Sequence, residues 1–220
     1  MNHYFKPLSE EAYLPGLYGP HKDLDRVIEV ALAGQLRERD ILPICSGGAY
    51  TSRSIFCQQV GWAIHTVEFQ KSLAAVIGRG KRVLEVGAGR GLLGLTMPNR
   101  MGAGSEWICT DREPPTPTPH NLVPRVIRAN AIWSIQRYRP DCVYVSWVPY
   151  RSDLDFRLAQ ECAKRRIPLI MTGEGWGGCC GSEKFWNHRH ARYRIINDAF
   201  LHDVPQWYGM HDHTVVARPR

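Results

Sequence analysis

The chain has 220 residues, of which 44% are apolar, and a formal net charge of +7. This length suffices for one well-buried α/β domain with an extension and excludes two full domains. No stretch approaches the roughly 20 consecutive apolar residues of a membrane span. The first residues carry acids where a signal peptide is apolar. We therefore expect an intracellular protein, cytoplasmic or nuclear, with no membrane partner.

The cysteines and the net charge indicate the redox compartment and the kind of partner. Seven cysteines occur without any C-x-x-C pair, which is typical of free thiols in a reducing compartment. The positive charge suggests an anionic partner without identifying it. Most basic residues flank predicted helix ends, where cations offset the helix dipole. The sequence indicates no oligomeric state.

The first 54 residues are predicted to form an irregular arm and a helical extension. Prolines, glycines and aromatic residues crowd residues 1–20, which indicates the arm. Apolar residues recur at helical spacing from Asp23 to Arg39, which predicts one amphipathic helix with Asp23 as its cap. Residues 42–54 are rich in turn formers. A helix with apolar residues on more than one face is predicted over 55–77.

The most informative stretch is KRVLEVGAGRGLLGL, residues 81–95. Its apolar run over 83–86 predicts a strand, and closely spaced glycines then predict a tight turn before a helix. Glycine permits positive φ and close approach of a ligand, and the first N–H groups of a helix favour an anionic ligand group. Glu85, inside a strand expected to be buried, needs a partner that a cationic ligand could supply. The stretch predicts a nucleotide-type cofactor site.

Two other interpretations of this turn stay open. Gly89, Gly91 and Gly94 fit the dinucleotide pattern G-x-G-x-x-G, which would suit a nicotinamide-dependent oxidoreductase. That match starts one glycine too late, because the first glycine of the turn is Gly87. The other alternative is a buried turn in which the backbone satisfies Glu85.

The glycine stretch resembles the first motif of the class I S-adenosylmethionine-dependent methyltransferases, E/D-x-G-x-G-x-G. Glu85, Gly87, Gly89 and Gly91 occupy its fixed places. The resemblance implies S-adenosylmethionine as the cofactor and methyl transfer as the activity. It also implies a Rossmann-like methyltransferase domain over 55–220, which forms one globular unit with residues 1–54.

Two further strands are predicted after the glycine motif. EWICTD predicts a strand ending at Asp111, where an acidic residue of a nucleotide-binding fold can hydrogen-bond ribose hydroxyls. The alternative is a capping or loop aspartate. The prolines of residues 113–124 forbid a helix and indicate a stiff loop. RVIRANA predicts a third strand that ends near Asn130 and Ala131, where the resemblance places adenine contacts, and a short helix follows.

The rest of the chain continues the alternation of strands and helices. DCVYVSW and PLIMTGEG predict the fourth and fifth strands, separated by a helix over 152–166. A helix is predicted over 183–200. VPQWY, residues 204–208, and HTVVARP, residues 213–219, are predicted to pair as antiparallel strands. This pattern predicts an α/β fold with a doubly wound, mostly parallel seven-stranded sheet, an antiparallel C-terminal strand pair and a helical N-terminal extension.

Ligands of such sheets bind beyond the carboxyl ends of the strands, where several of these segments converge. The resemblance implies that the cofactor contacts Glu85, Gly87, Ala88, Gly89, Gly91, Asp111, Arg112, Asn130, Ala131, Ser146 and Trp147.

The loop after the fourth strand faces the methyl group in this family. Many amino-group methyltransferases have N/D-P-P-Y/F there, whereas this chain has Trp147, Val148, Pro149 and Tyr150. A tryptophan in place of the polar residue counts against a base N-methyltransferase. The two aromatic residues either stack on a planar substrate or serve packing.

A narrower resemblance covers roughly residues 45–218. GGAYTSRS, GWAIHT, SWVPY, GEGWGGCCGSEKFW and WYGMHDHTVVAR are similar to motifs of little-characterised fungal, protist and viral methyltransferase-like proteins. His65, Glu174 and Tyr150 are the candidate catalytic residues, although structural roles fit them as well. The candidate substrate residues are Arg53, Trp62, Pro149, Trp176, Trp186 and Arg189.

Residues 184–194 interleave cations with aromatic rings, which suits a nucleic acid. The alternative is the solvated face of a helix. Cys179 and Cys180 with His188 and His190 lack the ligand spacing of a zinc site, so no metal is expected.

Three functions follow from these patterns. The first is S-adenosylmethionine-dependent methyl transfer, with RNA or DNA slightly favoured over a small molecule or protein as acceptor. The alternatives are a non-catalytic methyltransferase-like module that binds nucleic acid or a partner, and an NAD-dependent oxidoreductase.

Overall fold

A computed structural model describes residues 21–46, 50–115, 126–175, 178–187, 191–197, 201 and 204–220. The predicted arm, most of the proline-rich loop, Trp176 and Arg189 lie outside these ranges. The strands are β1 (Arg82–Val86), β2 (Glu106–Asp111), β3 (Ile127–Arg128), β4 (Cys142–Ser146), β5 (Leu169–Glu174), β6 (Tyr193–Ile196) and β7 (Asp212–Pro219). The helices are α1 (Leu24–Leu32), α2 (Glu38–Ser46), α3 (Tyr50–Gln59), α4 (Val67–Ile77), α5 (Leu92–Met101), α6 (Ala131–Tyr138), α7 (Leu154–Lys164) and α8 (Glu183–Trp186).

The seven strands form one sheet in the order β3-β2-β1-β4-β5-β7-β6. The first five strands pair in parallel, and β7 runs antiparallel to both of its neighbours, β5 and β6. The predicted doubly wound, mostly parallel sheet with an antiparallel C-terminal pair is therefore confirmed.

Successive residues of the central strands enter two separate cores, one on each face of the sheet. On β1, Val83 packs with α4 and α5, whereas Leu84 packs with α6 and α7. Because helices cover both faces, the inner strands are apolar almost throughout, as the sequence indicated. In the described part of the chain, no helix is long and apolar enough to cross a membrane.

The helical extension, α1 to α3, shares a third core with the rest of the protein. Trp207, from the segment before β7, packs edge-on against Phe56 of α3 with ring centroids 5.6 Å apart. The N–H of Tyr208 donates to the carbonyl of Cys45 at 3.1 Å. The predicted boundary at residue 54 falls inside α3. The extension is thus joined to the sheet domain through a common apolar core.

Two predicted N-terminal helices are each divided in the structure. The helix predicted from Asp23 to Arg39 breaks at Gly34, which has φ +68°, and the Asp23 side chain makes no capping hydrogen bond. The helix predicted over 55–77 breaks after Gln59, and α4 starts afresh where Thr66 accepts the N–H of Phe69 at 3.2 Å. Most of the predicted turn segment 42–54 is helical. Apolar spacing continued across these breaks, so periodicity alone did not locate them.

The prediction for the C-terminal segment was wrong in two places. The helix predicted over 183–200 is reduced to the short α8, and β6 follows it. The antiparallel partner of β7 is β6, and residues 204–208 form no strand. Tyr193 explains the change, because its ring stacks on Phe185 and its hydroxyl donates to the Phe185 carbonyl at 2.8 Å.

Replacement of Trp207 tests whether the extension is held by the shared core. Trp207 is buried, and its Nε1 finds no hydrogen-bond partner among the described residues. We expect Trp207→Ala to lower the free energy of unfolding by about 3–5 kcal/mol through the cavity it leaves. Trp207→Phe should cost less, because it also removes an unsatisfied N–H. Urea denaturation measures both, with exposed Tyr208→Ala as the control; equal stabilities of Trp207→Ala and the control would contradict the shared core.

Candidate functional site

A cavity of about 290 Å³ lies between the helical extension and the carboxyl ends of β1 and β4. We call it the first cavity. Its lining combines residues of the extension, of the segment between α3 and α4, and of the turn after β1. These include Ala31, Leu36, Phe56, Trp62, His65, Glu85, Gly87, Ala88, Gly89, Arg90, Asp111, Ser146 and Trp147. The site therefore gathers most of the predicted cofactor residues with a wall from the extension.

Two features of the glycine turn, residues 87–91, explain why it contains glycines. Gly87, Gly89 and Gly91 all have positive φ, at +67°, +53° and +74°. A side chain on Gly87 or Gly89 would meet no atom within 4 Å, so bare backbone faces open space there. A Cβ on Gly91 would lie 2.7 Å from Val126 Cγ2, so that glycine permits close packing. The first two glycines thus leave room for a ligand and the third serves the fold.

Glu85 is buried and lines the first cavity. Its Oε2 accepts hydrogen bonds from Trp107 Nε1 at 2.7 Å and from Cys109 Sγ at 3.4 Å. Burial raises the pKa of the Glu85 carboxyl to about 7, although both hydrogen bonds oppose the rise. Side chains of β2, not the backbone, are therefore its partners. Near neutral pH a cation in the cavity would favour its ionised form.

Asp111 at the end of β2 also lines the cavity and holds the glycine turn in place. One carboxylate oxygen accepts the N–H of Gly89 at 2.9 Å, and the other accepts the N–H of Glu113 at 2.8 Å. Each oxygen keeps a lone pair for a ligand hydroxyl. Asp111 is thus both a support of the turn and a possible ligand contact.

Four of the predicted cofactor residues do not line the first cavity, and Gly91 of the glycine turn is one of them. Arg112 is almost fully exposed and pairs with Glu113. The Asn130 side chain caps α6 by accepting the N–H groups of Ile132 and Trp133. Neither residue lines the first cavity, and nor does Ala131. Their assignment to the cofactor stays a prediction.

His65 lines the first cavity and begins a row of buried hydrogen bonds. Its Nε2 lies 2.8 Å from the Tyr144 hydroxyl, which donates to Thr172 Oγ1 at 3.0 Å, and Thr214 Oγ1 lies 3.1 Å beyond. The imidazole stacks on Phe69. Burial lowers the pKa of His65 to about 4, so the ring is neutral at pH 7. It is accordingly a weak proton acceptor.

Trp62 and Trp147 line the cavity beyond Ser146, and Arg53, which is not part of the lining, packs against both. The rings of Trp62 and Trp147 stack with centroids 5.3 Å apart, and Arg53 Cζ lies 5.5 and 5.9 Å from these centroids. Trp147 has φ +49°, which is rare for a bulky residue. Its N–H donates to the Thr172 carbonyl and its Nε1 to Asp212 Oδ2. These bonds offset the backbone strain.

The other predicted catalytic and substrate residues that the structure describes do not line the first cavity. Glu174 is buried and accepts the N–H groups of Cys179 and His211, so it joins two loops. With Trp186 it lines a second cavity of about 720 Å³. Tyr150 is 61% exposed and stacks with the guanidinium of Arg151, and Pro149 beside it is exposed too. Their catalytic and substrate roles stay predictions.

Sequence reasoning did not single out the neighbours of Glu85. Glu85 lies in register with Cys109 on β2 and with Tyr144 on β4. Trp107 is two residues before Cys109 and so shares its face of the sheet. The alternation of side chains along each predicted strand would have identified these neighbours, but only once the order of the strands in the sheet was known. Among the described residues, no three histidine, cysteine or acidic side chains are grouped to hold a metal.

No family model matches the chain, and no curated protein matches it. Similar solved structures include a SAM-dependent O-methyltransferase from Thermotoga maritima, with 10% identity and a TM-score of 0.47 over 71% of this chain and 66% of that one. A TehB-like SAM-dependent methyltransferase from Corynebacterium glutamicum has 12% identity and a TM-score of 0.42 over 78% and 96%. Precorrin-6y C5,15-methyltransferase from Geobacter metallireducens has 9% identity and a TM-score of 0.44 over 70% and 88%. At such identities the likeness concerns the fold alone.

The raised pKa of Glu85 makes the stability of the protein depend on pH. Between its ordinary pKa, near 4.5, and about 7, the folded protein keeps a proton that the unfolded chain loses. Stability from this group therefore falls as pH rises through that window and is constant above it. We expect Glu85→Gln to match the wild type near pH 4.5 and to exceed it by about 3 kcal/mol at pH 8.

Chemical denaturation across pH 4.5 to 8 measures this difference, and subtraction from the wild type removes the contribution of His65. Glu113→Gln, whose side chain is 78% exposed, is the matched control and should follow the wild-type curve. A Glu85→Gln curve parallel to the wild type would show that Glu85 is ionised in the folded protein throughout.

Proposed function

We propose that the protein binds S-adenosylmethionine in the first cavity and transfers its methyl group to an acceptor. One observation supports this most: the buried carboxylate of Glu85 lines a cavity whose wall is the bare backbone of Gly87 and Gly89. An acid buried at the base of a ligand cavity, without a cationic partner among the described residues, suits a positively charged ligand. The sulfonium and the amino group of S-adenosylmethionine supply that charge.

The residues present fit the rest of this cofactor. Asp111 offers carboxylate oxygens for ribose hydroxyls at the end of β2. The two open glycines admit the ligand beside the turn without meeting a Cβ. When bound, the sulfonium supplies an electrophilic methyl group. The chain then has to orient the acceptor, exclude water and accept a proton.

Residues of the cavity wall would orient the acceptor and accept its proton. Ser146 and Trp147 follow β4, and together with Trp62 they border the space in which an acceptor would meet the cofactor. His65 is the predicted base that lies in this wall. Because its pKa is low, it suits an acceptor whose own proton is acidic. Glu174 and Tyr150 would serve only an acceptor that reaches beyond the first cavity.

RNA or DNA is slightly favoured as acceptor over a small molecule or protein, because the chain carries a net charge of +7. A non-catalytic module that binds a nucleic acid or a partner is the second candidate. It is favoured by Trp147, which stands where amino-group methyltransferases have a polar residue. An NAD-dependent oxidoreductase is the third. The narrower resemblance to fungal, protist and viral proteins and the intracellular location stay predictions.

Titration calorimetry with S-adenosylmethionine tests the cofactor assignment. We expect binding by the wild type, and a loss of about tenfold or more in Glu85→Gln because an uncharged amide cannot pair with the cation. Wild-type affinity should rise with pH through about 7, as Glu85 ionises, and the affinity of Glu85→Gln should change little over that window.

Gly87→Ala tests the open backbone, because its Cβ would enter free space that the ligand needs. Gly80→Ala is the matched control, since Gly80 also has positive φ and open space but does not line the first cavity. Both variants should bear similar strain, and only Gly87→Ala should lose affinity. Binding of NAD in place of S-adenosylmethionine and S-adenosylhomocysteine would refute the assignment.

A further inference from the structure

The strongest unexplained feature of the site is the positive charge of Arg53. Its side chain is half-buried, and its Nε is buried without a hydrogen-bond partner among the described residues. None of the ion pairs found in the described ranges involves Arg53. A guanidinium rarely gives up water without an anion to replace it. An anionic ligand group would supply the partner that the described residues do not.

A buried acid lies near Arg53 but is engaged elsewhere. Arg53 and Asp212 act in opposite directions on the pKa of the Cys57 thiol, which places both charges around it. The Asp212 carboxylate accepts the Trp147 indole N–H at 3.3 Å and so holds that ring. Arg53 instead lies against the faces of Trp62 and Trp147. Stacking on indoles orients a guanidinium and leaves its donors for another group.

An aromatic surface accompanies this charge. Trp62 is 53% exposed although it packs against Trp147 and Arg53, so part of its ring is accessible to a flat ligand. Both rings line the first cavity, which is the proposed cofactor site. A planar group on Trp62 would therefore lie next to the cofactor, with Arg53 beside it.

We propose that this trio, the Arg53–Trp62–Trp147 cluster, binds a nucleotide of the methyl acceptor, with its base on Trp62 and its phosphate on Arg53; the acceptor role rests on the proposed methyl transfer. The planar fork of a guanidinium matches a phosphate, and indole rings stack on any base. The net charge of +7 favours a phosphate-bearing acceptor over an aromatic carboxylate.

Calorimetry at saturating S-adenosylhomocysteine tests the cluster without knowledge of the true acceptor. The probes are cytidine and guanosine 5′-monophosphates and the matching nucleosides, because adenine would compete for the cofactor cavity. We expect the monophosphates to bind about tenfold or more tightly than the nucleosides. Arg53→Gln should abolish that difference while nucleoside affinity stays within about twofold, and Trp62→Leu should weaken both probes by about tenfold.

Two further variants guard against misfolding and general charge effects. Arg53→Lys keeps the charge without the fork and should retain part of the phosphate preference. Arg151→Gln removes an exposed arginine that stacks on Tyr150 outside the first cavity, and should bind every probe as the wild type does. The Arg53 and Arg151 variants should keep wild-type affinity for S-adenosylhomocysteine within about twofold, because neither arginine belongs to the lining of the first cavity.

A short single-stranded oligocytidylate distinguishes a nucleic-acid acceptor from a free nucleotide. Tighter binding than cytidine monophosphate, with affinity that falls as salt rises, identifies a nucleic-acid acceptor, and equal affinity identifies a free nucleotide.

The outcomes distinguish the cluster from the cofactor assignment. If S-adenosylhomocysteine binds but the monophosphates do not, or if Arg53→Gln leaves their affinity unchanged, the cluster proposal is overturned and the cofactor assignment survives. Binding of 4-hydroxybenzoate in place of the monophosphates also overturns it. If the monophosphates bind with the expected dependences and S-adenosylhomocysteine does not, the nucleotide site stands and methyl transfer fails.

Discussion

The hydrogen bond from Trp107 to the buried carboxylate of Glu85 is the interaction on which the site depends. It fixes an acid on β1, whose other buried residues are apolar, directly before the glycine turn. Burial raises the pKa of that acid to about 7, so a cationic ligand would shift it towards its ionised form. Asp111 then binds the turn to the neighbouring strand, which keeps the open backbone in place. The Glu85 carboxylate is thus expected to affect both ligand binding and the stability of the fold.

The helical extension also shapes the first cavity. It supplies one wall of the first cavity, including Leu36 and Phe56, and α3 carries Arg53 to the tryptophan pair. Its core closes only with Trp207 from the opposite end of the chain. A Rossmann-like sheet usually leaves the edge of its ligand site to loops. Here packed helices form that edge, which gives the cavity a rigid side.

The sequence was a good guide to the sheet and a poorer guide to its surroundings. The inner strands were predicted correctly because they are buried on both faces and so read as continuous apolar runs. The segment that holds Tyr193 was predicted as helix, whereas it pairs with β7 as a strand and Tyr193 stacks on Phe185. Likewise, Glu85 was identified from its motif, but its partners come from strand register, which a single sequence does not display.

The same limit applies to Glu174. Its place at a strand end predicted a site residue, yet its carboxylate accepts the N–H of Cys179, in the loop after β5, and the N–H of His211, directly before β7. The second of these contacts joins segments far apart in the sequence and is decided by tertiary structure. Residues whose neighbours lie within one turn or one strand were predictable, and those whose neighbours lie across the sheet were not.

The bond between Trp147 and Asp212 has a consequence for synthesis of the protein on the ribosome. Asp212 opens the last strand, which inserts between β5 and β6, so the indole of Trp147 lacks its anchor until nearly the whole chain has emerged. The hydrogen-bond partners of Glu85, by contrast, are Trp107 and Cys109. They are therefore synthesised long before the residue that holds the Trp147 indole.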